Sequence, residues 1–203
     1  MSGVLSSVVS PVDADSDDAA RPSAATSPIP ARYHRTLLTI TATSGVVTVW
    51  ASCRWMSLHL QADPLLHIVA LFAHLASLIL GFGAVLAIDY YGLLWLLGRR
   101  SLPDTLEHAA PLRVPVWLGV GGLLLTGMLL HPDPNAPLTQ VKLVLVLVIA
   151  LNGVHATALH HRLTDLGHRG PTTGLLVRGG ASAVVSQMSW WGAVIIGFLN
   201  SRH

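Results

Sequence analysis

Charge is scarce in this chain. Only 11% of its 203 residues are Asp, Glu, Lys or Arg, where a soluble domain carries about 25%. So few charges cannot clothe a surface facing water on every side. With 52% hydrophobic residues and a mean hydropathy of +0.58, the composition names lipid as the solvent. Cysteine occurs once, at Cys53, which excludes an intrachain disulfide framework and any CxxC metal site. Lysine also occurs once, at Lys142. The twelve Lys and Arg residues lie scattered at the edges of apolar stretches, without a basic run or an aromatic-interleaved patch. No nucleic acid partner is expected from such a pattern.

What the chain does have is long apolar stretches. Residues 1–30 are rich in Ser, Ala, Pro and Asp, with Asp13, Asp15, Asp17 and Asp18 close together, and read as a disordered tail. No basic segment leads directly into a short apolar core, so the first span is expected to stay as an anchor. Crossing about 30 Å of hydrocarbon takes roughly 20 residues of helix. Five stretches qualify, at about 36–55, 66–95, 114–130, 141–159 and 181–199. The fold class is therefore all-α, a five-span transmembrane bundle with a four-helix core plus an N-terminal span. The first span is the most polar, carrying Thr39, Thr41, Thr43 and Thr48. The second exceeds what a bilayer needs, so Tyr90, Tyr91 and Trp95 are expected to reach the interface. Breakers are read at Asp63-Pro64, from Arg99-Arg100 to Pro111, at Pro132-Asp133-Pro134-Asn135, and from Gly167 to Gly180.

Charge asymmetry orients the bundle. If five helices alternate, Arg21, Arg32, Arg35, Arg99, Arg100, Arg113, Arg162, Arg169 and Arg178 share one side. Only Arg54, Lys142 and Arg202 fall on the other. The positive-inside rule then places the N-terminus in the cytoplasm and the C-terminus outside, in a multi-pass cell-membrane protein.

Orientation gives each polar group a depth. Ionisable side chains inside hydrocarbon need partners and mark functional sites by default. His67 falls at the outer interface and His74 about 10 Å deeper at 1.5 Å per residue. At 100° per residue the two share a face with Ala70, Ser77, Gly81 and Ala84, whose small side chains admit another helix or a flat cofactor. His131 and Lys142 reach the same outer region. Asp89, near the inner end, is expected to pair with Arg99 or Arg100. His155, in the inner half, reads as a helix–helix hydrogen-bond donor, and His160, His161 and His168 as loop residues.

Haem b between transmembrane helices needs an axial donor, small residues beside the ring, and cations or hydroxyls for its propionates. His74 suits the first role and Gly81 the second. Lys142 suits the third, or acts as a catalytic proton donor. Copper or zinc is the alternative, since imidazole ligates both. His67 and His74 lie two turns apart and cannot chelate one ion on an unbroken helix, so that site would draw on His67, His74 and His131 together.

The segments Phe72-Ala73-His74 to Gly81-Phe82-Gly83, Gly119 to Gly127, and Gln140-Val141-Lys142-Leu143-Val144-Leu145-Val146 resemble a known set of membrane proteins. These are the proteins related to HemJ-type protoporphyrinogen oxidase and to the copper-resistance D (CopD) family. The resemblance covers roughly residues 67–165 and implies a haem-associated histidine at His74 and a functional lysine at Lys142. The chain departs from the HemJ pattern at Asp89-Tyr90-Tyr91, where an Arg is usual, and at Leu151-Asn152, where a Tyr-His pair is favoured. It also lacks the Met- and His-rich ligands of copper handling, Met56 and Met128 being isolated. Three expectations follow: a haem b protein with an electron-transfer or oxidoreductase role, a copper-handling or transport protein, or a cofactor-free subunit binding a membrane-protein partner.

Overall fold

The computed structural model describes residues 31–59, 63–130, 136–166 and 170–200. The tail at 1–30, His131 and the Pro132–Asn135 turn lie outside them. The described chain is all helix: α1 (Ala31–Ser57), α2 (Pro64–Leu96), α3 (Leu102–Gly127, continued by a 3-10 turn over Met128–Leu130), α4 (Pro137–Asp165) and α5 (Thr173–Asn200). All five are long and apolar enough to cross a membrane, and the chain is a multi-pass helical bundle.

Each helix outlasts its predicted span, most of all α3. The expected break from Arg99 to Pro111 shrinks to a turn between Leu97 and Ser101, and local chemistry explains why. Gly98, at φ 68°, ends α2 in the left-handed conformation, its N–H bonding the Trp95 carbonyl while the Arg99 N–H bonds that of Leu94. Ser101 then caps α3 by accepting the Asp104 N–H at 3.3 Å. Pro103 sits in the first turn, where no N–H is needed. Pro111 and Pro115 remain inside the helix; packing against α2 holds that segment helical despite the lost backbone bonds. The break expected from Gly167 to Gly180 likewise ends at Thr173, where α5 begins.

Packing turns the sequence inside out. On α2, Phe72 and Ile79 are 75% and 74% exposed while Ala70 is 3% exposed. Large side chains outside and small ones inside fit a bundle solvated by lipid. α2 and α3 lie antiparallel with their backbones touching at Gly81 and Gly119. A Cβ on Gly119 would lie 2.5 Å from the Gly81 nitrogen and 2.8 Å from the Ser77 carbonyl oxygen. α4 and α5 form the second hairpin. Asn152 donates to the Ser182 carbonyl at 3.0 Å and accepts the Ser182 hydroxyl at 2.9 Å. Where the hairpins meet, Val85, Val120, Leu123, Ile149, Ala150 and Trp190 form one buried cluster, and Phe82 stacks on Trp190 with ring centroids 5.5 Å apart.

α1 is different. None of its membrane-length window is buried. It leans on α4 through Trp50, whose indole N–H donates to the Leu143 carbonyl at 3.0 Å, and through an exposed Arg35–Asp165 ion pair. The hydroxyls of Thr39 and Thr41 donate to carbonyls one turn back at 2.9 and 3.0 Å, which lets them face lipid without an orphaned donor.

Candidate functional site

The Gly81–Gly119 contact sets the register that builds the site. His74 lies seven residues before Gly81 and Thr126 seven after Gly119, so antiparallel packing brings them level. The His74 Nδ1 and the Thr126 hydroxyl oxygen are 2.8 Å apart. Thr126 commits its own proton to the Gly122 carbonyl at 2.6 Å. The hydroxyl oxygen must therefore accept from Nδ1–H, which fixes the tautomer and leaves the lone pair on Nε2. Metal-ligating histidines are commonly oriented this way, through the nitrogen they do not use for ligation.

His74 lines a cavity of about 90 Å³ at the end of the bundle away from the α2–α3 turn. Lys142 lines it from α4 and Arg54 from α1, together with Trp50, Cys53 and Thr139. Among its described lining residues there is no carboxylate. Two cations and one imidazole with a lone pair thus share one partly enclosed space. Arg54, Cys53 and Thr126 carried no sequence signal of their own. Thr126 becomes visible only once the α2–α3 register is known, and Arg54 only once α1 is laid across α4.

The other candidates are placed as follows. Gly81 is buried against protein: a Cβ there would lie 3.0 Å from the Trp190 ring and 3.1 Å from the Gly119 Cα. Helix packing fills its face. His67, in the first turn of α2, is exposed. His131 lies outside the described residues. Among the described residues no three His, Cys, Asp or Glu side chains gather as a metal set.

Two further expectations are corrected. Asp89 accepts a hydrogen bond from the Gln187 side-chain amide on α5. Arg100 pairs instead with Asp104, at 3.1 Å, four residues on in the first turn of α3. His155 is exposed; the bond between α4 and α5 is made one turn earlier, by Asn152.

A second cavity, of about 220 Å³, lies toward the α2–α3 turn, among α2, α3, α4 and α5. Asp89, Arg113 and His160 line it, with Trp117 and Trp190 among its apolar walls. Leu123 of the buried cluster faces the His74 cavity, and Val85, Ile149 and Trp190 of the same cluster face this one. An apolar layer therefore separates the two.

No protein-family model, no curated protein and no solved structure matches this chain.

Proposed function

We propose that this integral membrane protein binds haem b at the His74 cavity, in an electron-transfer or oxidoreductase role, with the cavity in the extracytoplasmic half of the membrane. The observation that carries the reading is the hydrogen bond between His74 Nδ1 and the Thr126 hydroxyl, which leaves Nε2 as the ring nitrogen available to an axial position beside two cations. Lys142 and Arg54 are the groups that would hold the propionates, and Trp50 would contribute apolar surface. Once bound, the iron would supply one-electron chemistry, and the residues around it would orient the ring and exclude water.

The donor set suits haem b, but the cavity as it stands does not enclose it. Drug-sized ligands occupy roughly 300–1,000 Å³, and this space is about 90 Å³. The wall that has to give is α1, the one helix with none of its membrane window buried. Copper is the weaker ligand for the same site, since Lys142 and Arg54 repel a bare cation and no three-ligand set accompanies them among the described residues.

The test is the absorption spectrum of the detergent-solubilised full chain, before and after adding haemin. A Soret band is expected in wild type and in His67→Ala, lost in His74→Ala and weakened or shifted in Thr126→Val. Lys142→Met should weaken haem retention more than Arg113→Gln, since only the former lines this cavity. A wild type that stays colourless with haemin present refutes the reading. The small volume and cationic lining then favour a second one, a small inorganic anion held by Lys142 and Arg54. Sulfate should stabilise wild type against heat in that case, and Lys142→Met should abolish the effect.

A further inference from the structure

The cavity near the α2–α3 turn carries an arrangement that the His74 site does not use. The packing register pairs Gly81 with Gly119 and His74 with Thr126. It also brings Tyr91 to His108, with ring centroids 5.3 Å apart. Continued along the helices, it sets Asp89 level with Pro111, two residues or about 3 Å of rise from Arg113. A carboxylate on α2 and a guanidinium on α3 thus line one cavity at nearly one depth. They are not an ion pair: among the described residues the salt bridges are Arg35–Asp165, Arg100–Asp104 and His108–Asp104.

Their bonds to the protein leave capacity on both sides. Asp89 takes the Gln187 amide on one carboxylate oxygen, and Gln187 is held in turn by the Trp191 indole N–H at 3.1 Å. Arg113 reaches the Ala110 carbonyl only through Nε, at 3.4 Å, and its two terminal nitrogens have no partner among the described residues. The nearby polar pair of Asn152 and Ser182 is satisfied within itself. One carboxylate oxygen and one guanidinium fork therefore stand unpaired across an apolar-walled space of about 220 Å³. Both groups are half-buried, and opposite charges held apart across an apolar-walled space gain from a ligand that bridges them.

We infer that this cavity binds a small zwitterion, with the ligand's carboxylate on Arg113 and its ammonium on Asp89. A molecule carrying both charges gains at both ends, whereas a singly charged one leaves one half-buried group uncompensated. The volume is below the drug-sized range and suits an amino acid-sized body. Val85, Ile88, Leu106 and Trp117 on its walls favour an apolar side chain.

The test uses thermal unfolding of the detergent-solubilised full chain against glycine, leucine and phenylalanine. N-acetyl-leucine, lacking the ammonium, and leucinamide, lacking the carboxylate, serve as singly charged controls. At least one zwitterion should raise the midpoint saturably. The matched controls should bind about tenfold or more weakly, as losing one charged hydrogen-bond partner dictates. Arg113→Gln and Asp89→Asn should each weaken the zwitterion by a similar factor. Ser186→Leu, which fills the cavity without touching either charge, should abolish binding and covers the case in which a charge variant fails to fold. The inference is overturned if no zwitterion stabilises wild type, if the controls bind as well as their parents, or if binding survives Ser186→Leu.

Discussion

Adding one methyl group to Gly119 tests the contact on which both cavities depend. The new Cβ would lie 2.5 Å from the Gly81 nitrogen and 2.8 Å from the Ser77 carbonyl oxygen. Both are backbone atoms of a regular helix, so no rotamer change relieves the clash and α2 must move away from α3. Overpacking of this kind typically destabilises by about 1–3 kcal/mol. For a chain of this size each kcal/mol shifts the midpoint by roughly 2–4 °C, so Gly119→Ala should melt between about 2 and 12 °C below wild type. Gly121, two residues on, is the internal control. Nothing lies within 4 Å of a Cβ built there, and replacing Gly by Ala inside a helix gains about 0.5–1 kcal/mol. Gly121→Ala should therefore match or exceed wild type. The assay is thermal unfolding in detergent, followed by circular dichroism, with both variants in parallel. The sign of the difference decides. If Gly119→Ala is as stable as Gly121→Ala, the two helices do not touch at Gly81, and the register that joins His74 to Thr126 has no basis.

Two other outcomes follow from the same structure. Asn152→Leu should destabilise the chain by about 1–3 kcal/mol, because the buried Ser182 hydroxyl loses its acceptor, whereas His155→Leu at an exposed position should be close to neutral; equal losses would mean that Asn152 does not hold α4 to α5. A membrane-impermeant thiol reagent applied to intact cells should label a cysteine placed at Asn135 and not one placed at Gly170, in a Cys53→Ser background; the reverse pattern would invert the proposed orientation and put the His74 cavity on the cytoplasmic side.

The helices were legible because hydropathy alone reports them. Their ends near the α2–α3 turn were not. The Arg99-to-Pro111 segment is polar and rich in prolines, which reads as a loop, yet Ser101 and Pro103 are start signals and the following turns are held by α2. Local breakers lost to tertiary packing there. The inward face of α2 was also legible, since Ala70, Ser77, Gly81 and Ala84 recur at helical spacing and three of them, Ala70, Gly81 and Ala84, are buried. What faces them was not. A small-residue stripe admits a helix or a flat ligand equally well, and only the match of Gly119 to Gly81 shows that a helix took the place. Asp89 was misassigned for a related reason. Arg99 and Arg100 are near it in sequence, but Gln187, almost a hundred residues away, is nearer in space.

The charge content of the two cavities suits ligands of different kinds. The His74 cavity presents Lys142 and Arg54 with no carboxylate among its described lining, so an anionic group is favoured there and a bare cation is repelled. The Arg113 cavity presents one charge of each sign, so a molecule with a dipole gains over one with net charge. Between them lie Val85, Val120, Leu123, Ile149, Ala150 and Trp190, all buried, with Trp190 only 1% exposed. A charged solute crossing that layer would have to shed its water against side chains that offer no hydrogen bond, a penalty of several kcal/mol even for an ion with partial compensation. A shift of α2 against α3, which touch at Gly81 and Gly119, would move walls of both cavities at once.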